Sequence, residues 1–139
     1  MVIQEREALI LELSQEHQNI MDWLQFNEFD IYEKFQQHAY KYMQYRDKYY
    51  AEKQALNHLL EIREQIIGKV YDKLRFDSEK NLSKTEIERY YLNTDQKVIK
   101  INQLVAKQQV RVEFFEVITD SLGKMGWSMK SFIDAHKTL

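Results

Sequence analysis

The chain contains no cysteine and no proline, and only three glycines, Gly68, Gly123 and Gly126. Without cysteine there can be no disulfide, no thiolate metal site and no thiol nucleophile. With proline absent and glycine scarce, the two strongest helix breakers are nearly missing, which favours long helices. Three glycines cannot supply a G-x-x-x-x-G-K-[ST] loop or a G-x-G-x-x-G turn, so neither nucleotide-binding motif is present. No apolar run approaches the roughly 20 residues of a membrane-spanning helix. The opening MVIQEREALILEL carries acids where a signal peptide needs a basic patch and an unbroken apolar run. These absences predict a soluble, intracellular protein with no membrane partner.

Catalytic signatures are equally sparse. A di-metal helical bundle needs Glu-x-x-His pairs, yet the residues three before His17, His38, His58 and His136 are Ser14, Phe35, Ala55 and Ile133. No H-E-x-x-H occurs, and lone histidines on helices are more often surface or core residues than bases. The expectation is a protein that is not an enzyme, with no catalytic residues, no cofactor and no metal.

What is present is a 139-residue chain rich in Glu, Lys, Gln, Leu and Ala, long enough for one all-α domain built from long helices. Its formal net charge is −2, but the charge is unevenly placed. Residues 1–37 hold two cations against eight anions, residues 38–100 hold thirteen cations against ten, and residues 101–139 hold five against four. The first part is acidic, the middle weakly basic and the last nearly neutral.

Apolar spacing predicts a first helix over Ile3–Leu24, with Leu9, Ile10, Leu13, Ile20 and Leu24 on one stripe. Asp30 with Glu33 reads as a capping box opening a helix of roughly 40 residues, about 60 Å long, with no breaker before Gly68 or Asp77-Ser78. Ser83 with Glu86 opens a short helix over Lys84–Leu92, and Asn93-Thr94-Asp95 caps the next. That helix, Asp95 to about Met125, carries Val98, Ile101, Val105, Val112, Phe115 and Leu122 at 3-4 spacing, interrupted by Gln108 and Thr119. A second stripe of Leu104, Phe114, Val117 and Ile118 lies beside it. Two apolar stripes need neighbours on two sides, supplied either by symmetric self-assembly or by the core of a monomeric bundle. Gly123 or Gly126 is expected to end this helix, and Ser128 to open a last short one with Met129, Phe132 and Ile133. One domain over 1–139 is therefore expected, with residues 1–92 as the N-terminal and long-helix region and residues 93–139 as C-terminal helices.

The most unusual run is His38–Lys53, where Tyr40, Tyr42, Tyr45, Tyr49 and Tyr50 alternate with Lys41, Arg46, Lys48 and Lys53. Rings stack on bases of any identity and cations neutralise phosphate, the combination used for sequence-tolerant single-strand binding. Tyrosines at helical spacing equally suit a packed interface. A second basic cluster, Lys69, Lys73, Arg75 and Lys80, lies where the long helix ends, although cations there also complement the helix dipole.

From Leu92 to Asp134 the sequence resembles the C-terminal half of the T-even-type phage recombination mediator family (UvsY). The resemblance is carried by Asp95 with Lys97-Val98-Ile99-Lys100, the apolar helix through Phe115 and Leu122, and Gly126-Trp127 before Met129-Lys130-Ser131-Phe132-Ile133. Upstream, Lys48-Tyr49 is similar to the family's Lys-aromatic pair. Lys73-Leu74-Arg75 is similar to its Lys-x-Arg, allowing one inserted residue. The first 37 residues match poorly, and their acidity suits protein contacts or packing rather than phosphate.

The resemblance implies a non-enzymatic, elongated helical protomer that closes into a ring-like homo-oligomer of about six or seven copies through its C-terminal helices. It implies binding of single-stranded DNA and loading of the phage recombinase onto strands covered by the phage single-strand-binding protein, in the cytoplasm of the infected bacterial host. Candidate nucleic-acid-binding residues are Lys73 and Arg75, then Lys69, Lys80, Lys48, Tyr49, Tyr45 and Arg46. Candidate oligomer-interface residues are Val98, Ile101, Val105, Val112, Phe115, Leu122, Trp127 and Phe132. The alternative is a helical homo-oligomeric scaffold or adaptor that binds no nucleic acid.

Overall fold

The computed structural model describes residues 3–77 and 81–137. Among them every regular element is helical: α1 (Ile3–Leu24), α2 (Ile31–Asp72), a π-helical turn (Lys73–Asp77), α3 (Lys84–Glu86), a π-helical stretch (Ile87–Tyr91), a 3-10 turn (Leu92–Thr94) and α4 (Gln96–Lys137). The all-α expectation is met, and α1 has the predicted bounds. No helix among the described residues is long and apolar enough to cross a membrane.

Helix starts follow local chemistry. Ser83 Oγ accepts from the Glu86 N–H at 3.2 Å, and Asp95 Oδ1 accepts from Lys97 N–H at 2.8 Å and Val98 N–H at 3.2 Å. These are the two expected caps, each satisfying donors the helix leaves orphaned. At α2 the predicted capping box is replaced by a different turn. The Asp30 carbonyl accepts the first helical bond from Lys34 at 3.0 Å, but the Asp30 carboxylate accepts from Asn27 N–H at 2.7 Å. The Asp30 N–H donates to Asn27 Oδ1 at 3.2 Å instead of to Glu33. The preceding asparagine wins because it reaches the same backbone groups through a shorter turn. Lys34 folds back onto the Trp23 and Gln25 carbonyls where α1 ends.

α4 overturns the expected break. It runs unbroken through Gly123, Gly126 and Ser128 to Lys137. Neither glycine has a positive φ, so neither acts as a left-handed cap. They sit where α2 presses on α4. A Cβ at Gly123 would meet the Tyr42 ring at 3.7 Å, and one at Gly126 would lie 2.5 Å from His38 Cε1. His38 Nε2–H donates to the Leu122 carbonyl at 2.5 Å through this gap.

The chain divides into two compact units, one within residues 54–109 and the other within 2–53 and 110–139. The second unit packs Leu9, Leu13 and Ile20 of α1 and Ile31 and Tyr45 of α2 against Phe115, Ile118, Leu122, Met125, Met129 and Ile133 of α4. Each such side chain contributes about 1.5–3 kcal/mol of burial. Thr119, at the predicted seam, is buried and donates its hydroxyl to the Phe115 carbonyl at 2.7 Å, so it costs no unpaired group. Arg111 closes one edge of this unit, donating to both Glu52 carboxylate oxygens at 2.9–3.2 Å and to Glu12 at 3.2 Å. The unit within 54–109 buries Ile87, Val98, Ile101 and Val105.

Candidate nucleic-acid interface

The tyrosine-rich run divides into inward and outward faces. Tyr45 is 4% exposed and belongs to the core, with its hydroxyl donating to Glu16 Oε2 at 2.7 Å. Lys48 completes the clamp at 3.2 Å from Glu16 Oε1 and sits 4.7 Å from the Tyr45 ring centroid. The Tyr45 hydrogen bond holds the Glu16 carboxyl below its ordinary range against the opposing effect of burial, with Lys48 assisting. Burial, then Glu16, pushes the Tyr45 phenol up. Tyr45 therefore has no ring face to offer a base, which corrects its candidacy, and the Lys48 charge is paired with Glu16. Tyr49 is half-buried against the same core, its ring tilted against Tyr50 at 5.4 Å between centroids. Arg46 remains exposed, 5.4 Å from the Tyr50 centroid.

The second basic cluster faces solvent. Lys69 occupies the last turn of α2, and Lys73 and Arg75 lie in the π-helical turn that follows. All three are exposed, while Lys80 lies outside the described residues. Arg75 Nη1 donates to the Tyr71 hydroxyl at 2.9 Å, which anchors the guanidinium and leaves further donors directed outward. A groove of about 500 Å³ is lined by the apolar Ile66, Val70 and Leu74 together with Lys69, Lys73, Asp95 and Lys97. A smaller, more apolar groove of about 280 Å³ shares Ile66 and Lys97 and adds Lys100 and Leu104.

Lys97 and Lys100 are cations the sequence reading did not place in the site. The first turn of α4 contains no acid, and positive charge at a helix N-terminus opposes the macrodipole by about 0.3–1 kcal/mol. Local helix stability explains Lys69 but not these two. Asp95, the acid in the groove, has its carboxylate engaged by the α4 backbone. Among the described residues, no ion pair neutralises Lys69, Lys73, Arg75, Lys97 or Lys100. An arrangement of outward cations over an apolar floor can neutralise a polyanion and cover its less polar parts.

Of the interface candidates, Val98, Ile101, Val105, Val112, Phe115 and Leu122 are already buried within the single chain. In this conformation they have little surface left for a partner to cover. Phe132 is half-buried edge-on to Phe26 at 6.1 Å. Trp127 is 71% exposed, with Lys130 Nζ 5.7 Å from its ring. Leu104 and Val117 of the second stripe are exposed as well, so the outer surface of α4 differs from the seam that the heptad spacing singled out.

No family model matches the chain, and no curated protein matches it in sequence. In three dimensions it is similar to crystal structures of the bacteriophage T4 recombination mediator protein UvsY. Lattice type II matches with a TM-score of 0.75 at 14% identity, covering 91% of this chain and 96% of that chain. Lattice type IV gives 0.74 at 12% identity over 91% and 97%, and lattice type I gives 0.71 at 13% over 88% and 96%. Across nearly its whole length, the chain has a UvsY-like all-helical fold.

Proposed function

We propose that this chain is a non-enzymatic recombination mediator that binds single-stranded DNA and promotes loading of a strand-exchange recombinase onto strands covered by single-strand-binding protein. The observation that carries the reading is the exposed cations Lys69, Lys73, Lys97 and Lys100 along two grooves of the 54–109 unit that share Ile66 and Lys97, with exposed Arg75 two residues beyond Lys73. The UvsY-like fold supports the biological role. One copy presents few cations, but a ring of about six or seven copies would repeat the patch and gain by avidity. Trp127 and Phe132, with Val117, offer apolar surface for assembly. The acidic N-terminal third then serves contacts with the recombinase or the single-strand-binding protein, in the host cytoplasm.

Fluorescence anisotropy of a labelled oligothymidylate, titrated with protein across a salt series, tests the binding step. The logarithm of the affinity should fall linearly with log salt, and Lys73→Ala with Arg75→Ala should flatten the slope by about 0.7 per lost phosphate contact. Binding unaltered by that double substitution would discard the site. Failure to bind at any salt would favour the scaffold reading, to which the exposed Leu104, Val117 and Trp127 already lend weight. The loading step is tested by asking whether the chain speeds recombinase assembly on strands covered beforehand by single-strand-binding protein.

A further inference from the structure

We infer that Phe76 is a nucleobase-stacking site at the cationic end of the long helix, beside Arg75. This deepens the proposed function and rests on it. Phe76 is 72% exposed; a single exposed apolar ring is ordinary by itself, so what surrounds it decides its use. Its surroundings specify the cover. Arg75 lies 5.9 Å from the ring centroid, and the Arg75 guanidinium is itself held by the Tyr71 hydroxyl at 2.9 Å. Lys73 and Lys69 stand on the same helix end. A greasy protein knob would suit an apolar rim, whereas this ring is bordered by cations that attract phosphate.

The backbone contributes too. Residues Lys73–Asp77 form a π-helical turn, a widened geometry that often accompanies functional sites because it redirects side chains. With Arg75 on the ring and most of Phe76 still exposed, one flat surface remains for a base while the guanidinium and Lys73 take the adjoining phosphates. Stacking of this kind needs no particular base, since every base has a π-face. The predicted ligand is therefore any unpaired nucleotide, not a sequence.

Phe76→Ala, Phe76→Leu and Phe76→Tyr, each checked for folding by circular dichroism, are compared by anisotropy on an oligothymidylate and on an abasic strand of equal length. Phe76→Ala should weaken oligothymidylate binding about 5- to 150-fold, equivalent to about 1–3 kcal/mol. The salt slope should stay that of the parent, because no phosphate contact is lost. Phe76→Leu should behave like alanine, Phe76→Tyr like the parent, and the abasic strand should not distinguish the four proteins. Oligothymidylate binding that depends on Lys73 and Arg75 but not on Phe76 would overturn the stacking site and leave the proposed function standing. Equal losses on both strands would overturn it as well, since the ring would then be acting on the backbone or on the fold. No binding by the parent protein would remove both.

Discussion

Substituting each glycine with alanine separates the two meanings a glycine can have in a helix. In an open helical position alanine is favoured by about 1 kcal/mol. Gly68 is such a position, with nothing within 4 Å of a built Cβ, so Gly68→Ala should stabilise by roughly that amount. At Gly126 the new methyl would lie 2.5 Å from His38 Cε1 and 2.9 Å from Nε2. The imidazole cannot simply step aside. It is bonded to the Leu122 carbonyl and lies between Trp23 and Tyr42, at centroid distances of 6.3 Å and 6.2 Å. Overpacking costs about 1–3 kcal/mol and the lost hydrogen bond about 0.5–1.5 kcal/mol. Offsetting these against the propensity gain leaves Gly126→Ala destabilised by roughly 0.5–3.5 kcal/mol. Thermal unfolding by circular dichroism reads this as a drop of several degrees, at equal protein concentrations because assembly makes the midpoint concentration-dependent. In a His38→Ala background the same substitution should become neutral or stabilising. A Gly126→Ala protein that unfolds at or above the parent temperature would refute the close-contact account of α4.

The clamp on Glu16 predicts that Tyr45→Phe loses about 1 kcal/mol of stability, measured by urea unfolding, with no change in oligonucleotide affinity. Because the folded Glu16 carboxyl is held below its ordinary range, its contribution is full above the unfolded pKa and is lost as pH falls through the folded one. Stability followed from neutral pH into the acid range should therefore decline less steeply for Glu16→Gln than for the parent. Leu122, 0% exposed in the core, should cost about 2–5 kcal/mol as alanine. Phe115→Glu should unfold the chain by circular dichroism instead of releasing folded subunits in light scattering, since that ring packs against Tyr45 at 6.4 Å within one copy.

The helices were readable because the chain lacks the residues that stop them, and because Ser83 and Asp95 cap by bonds only a few residues long. Local chemistry is what a sequence displays directly. The continuation of α4 past Gly123 and Gly126 was not readable, since a missing side chain reveals nothing about what presses into the space. Only the folded chain brings His38, 88 positions earlier, against Gly126. The same holds for the tyrosine run. Helical spacing places Tyr45 and Lys48 near one another, but Glu16 on α1 decides that Tyr45 turns inward and that Lys48 pairs with it at the rim. The exposure of Lys69, Lys73 and Arg75 goes with their position at a helix end. Lys97 is legible in the sequence as a charge that opposes the dipole at the start of α4. Phe76 is legible as an aromatic residue directly after the Lys-x-Arg run.

Native mass spectrometry with and without a single-stranded oligonucleotide tests the central claim most directly. The predicted spectrum is a closed homo-oligomer of one size that keeps its subunit number and gains the mass of the bound strand, with the gain abolished by Lys73→Ala and Arg75→Ala. A folded monomer whose mass is unchanged by the strand would contradict it.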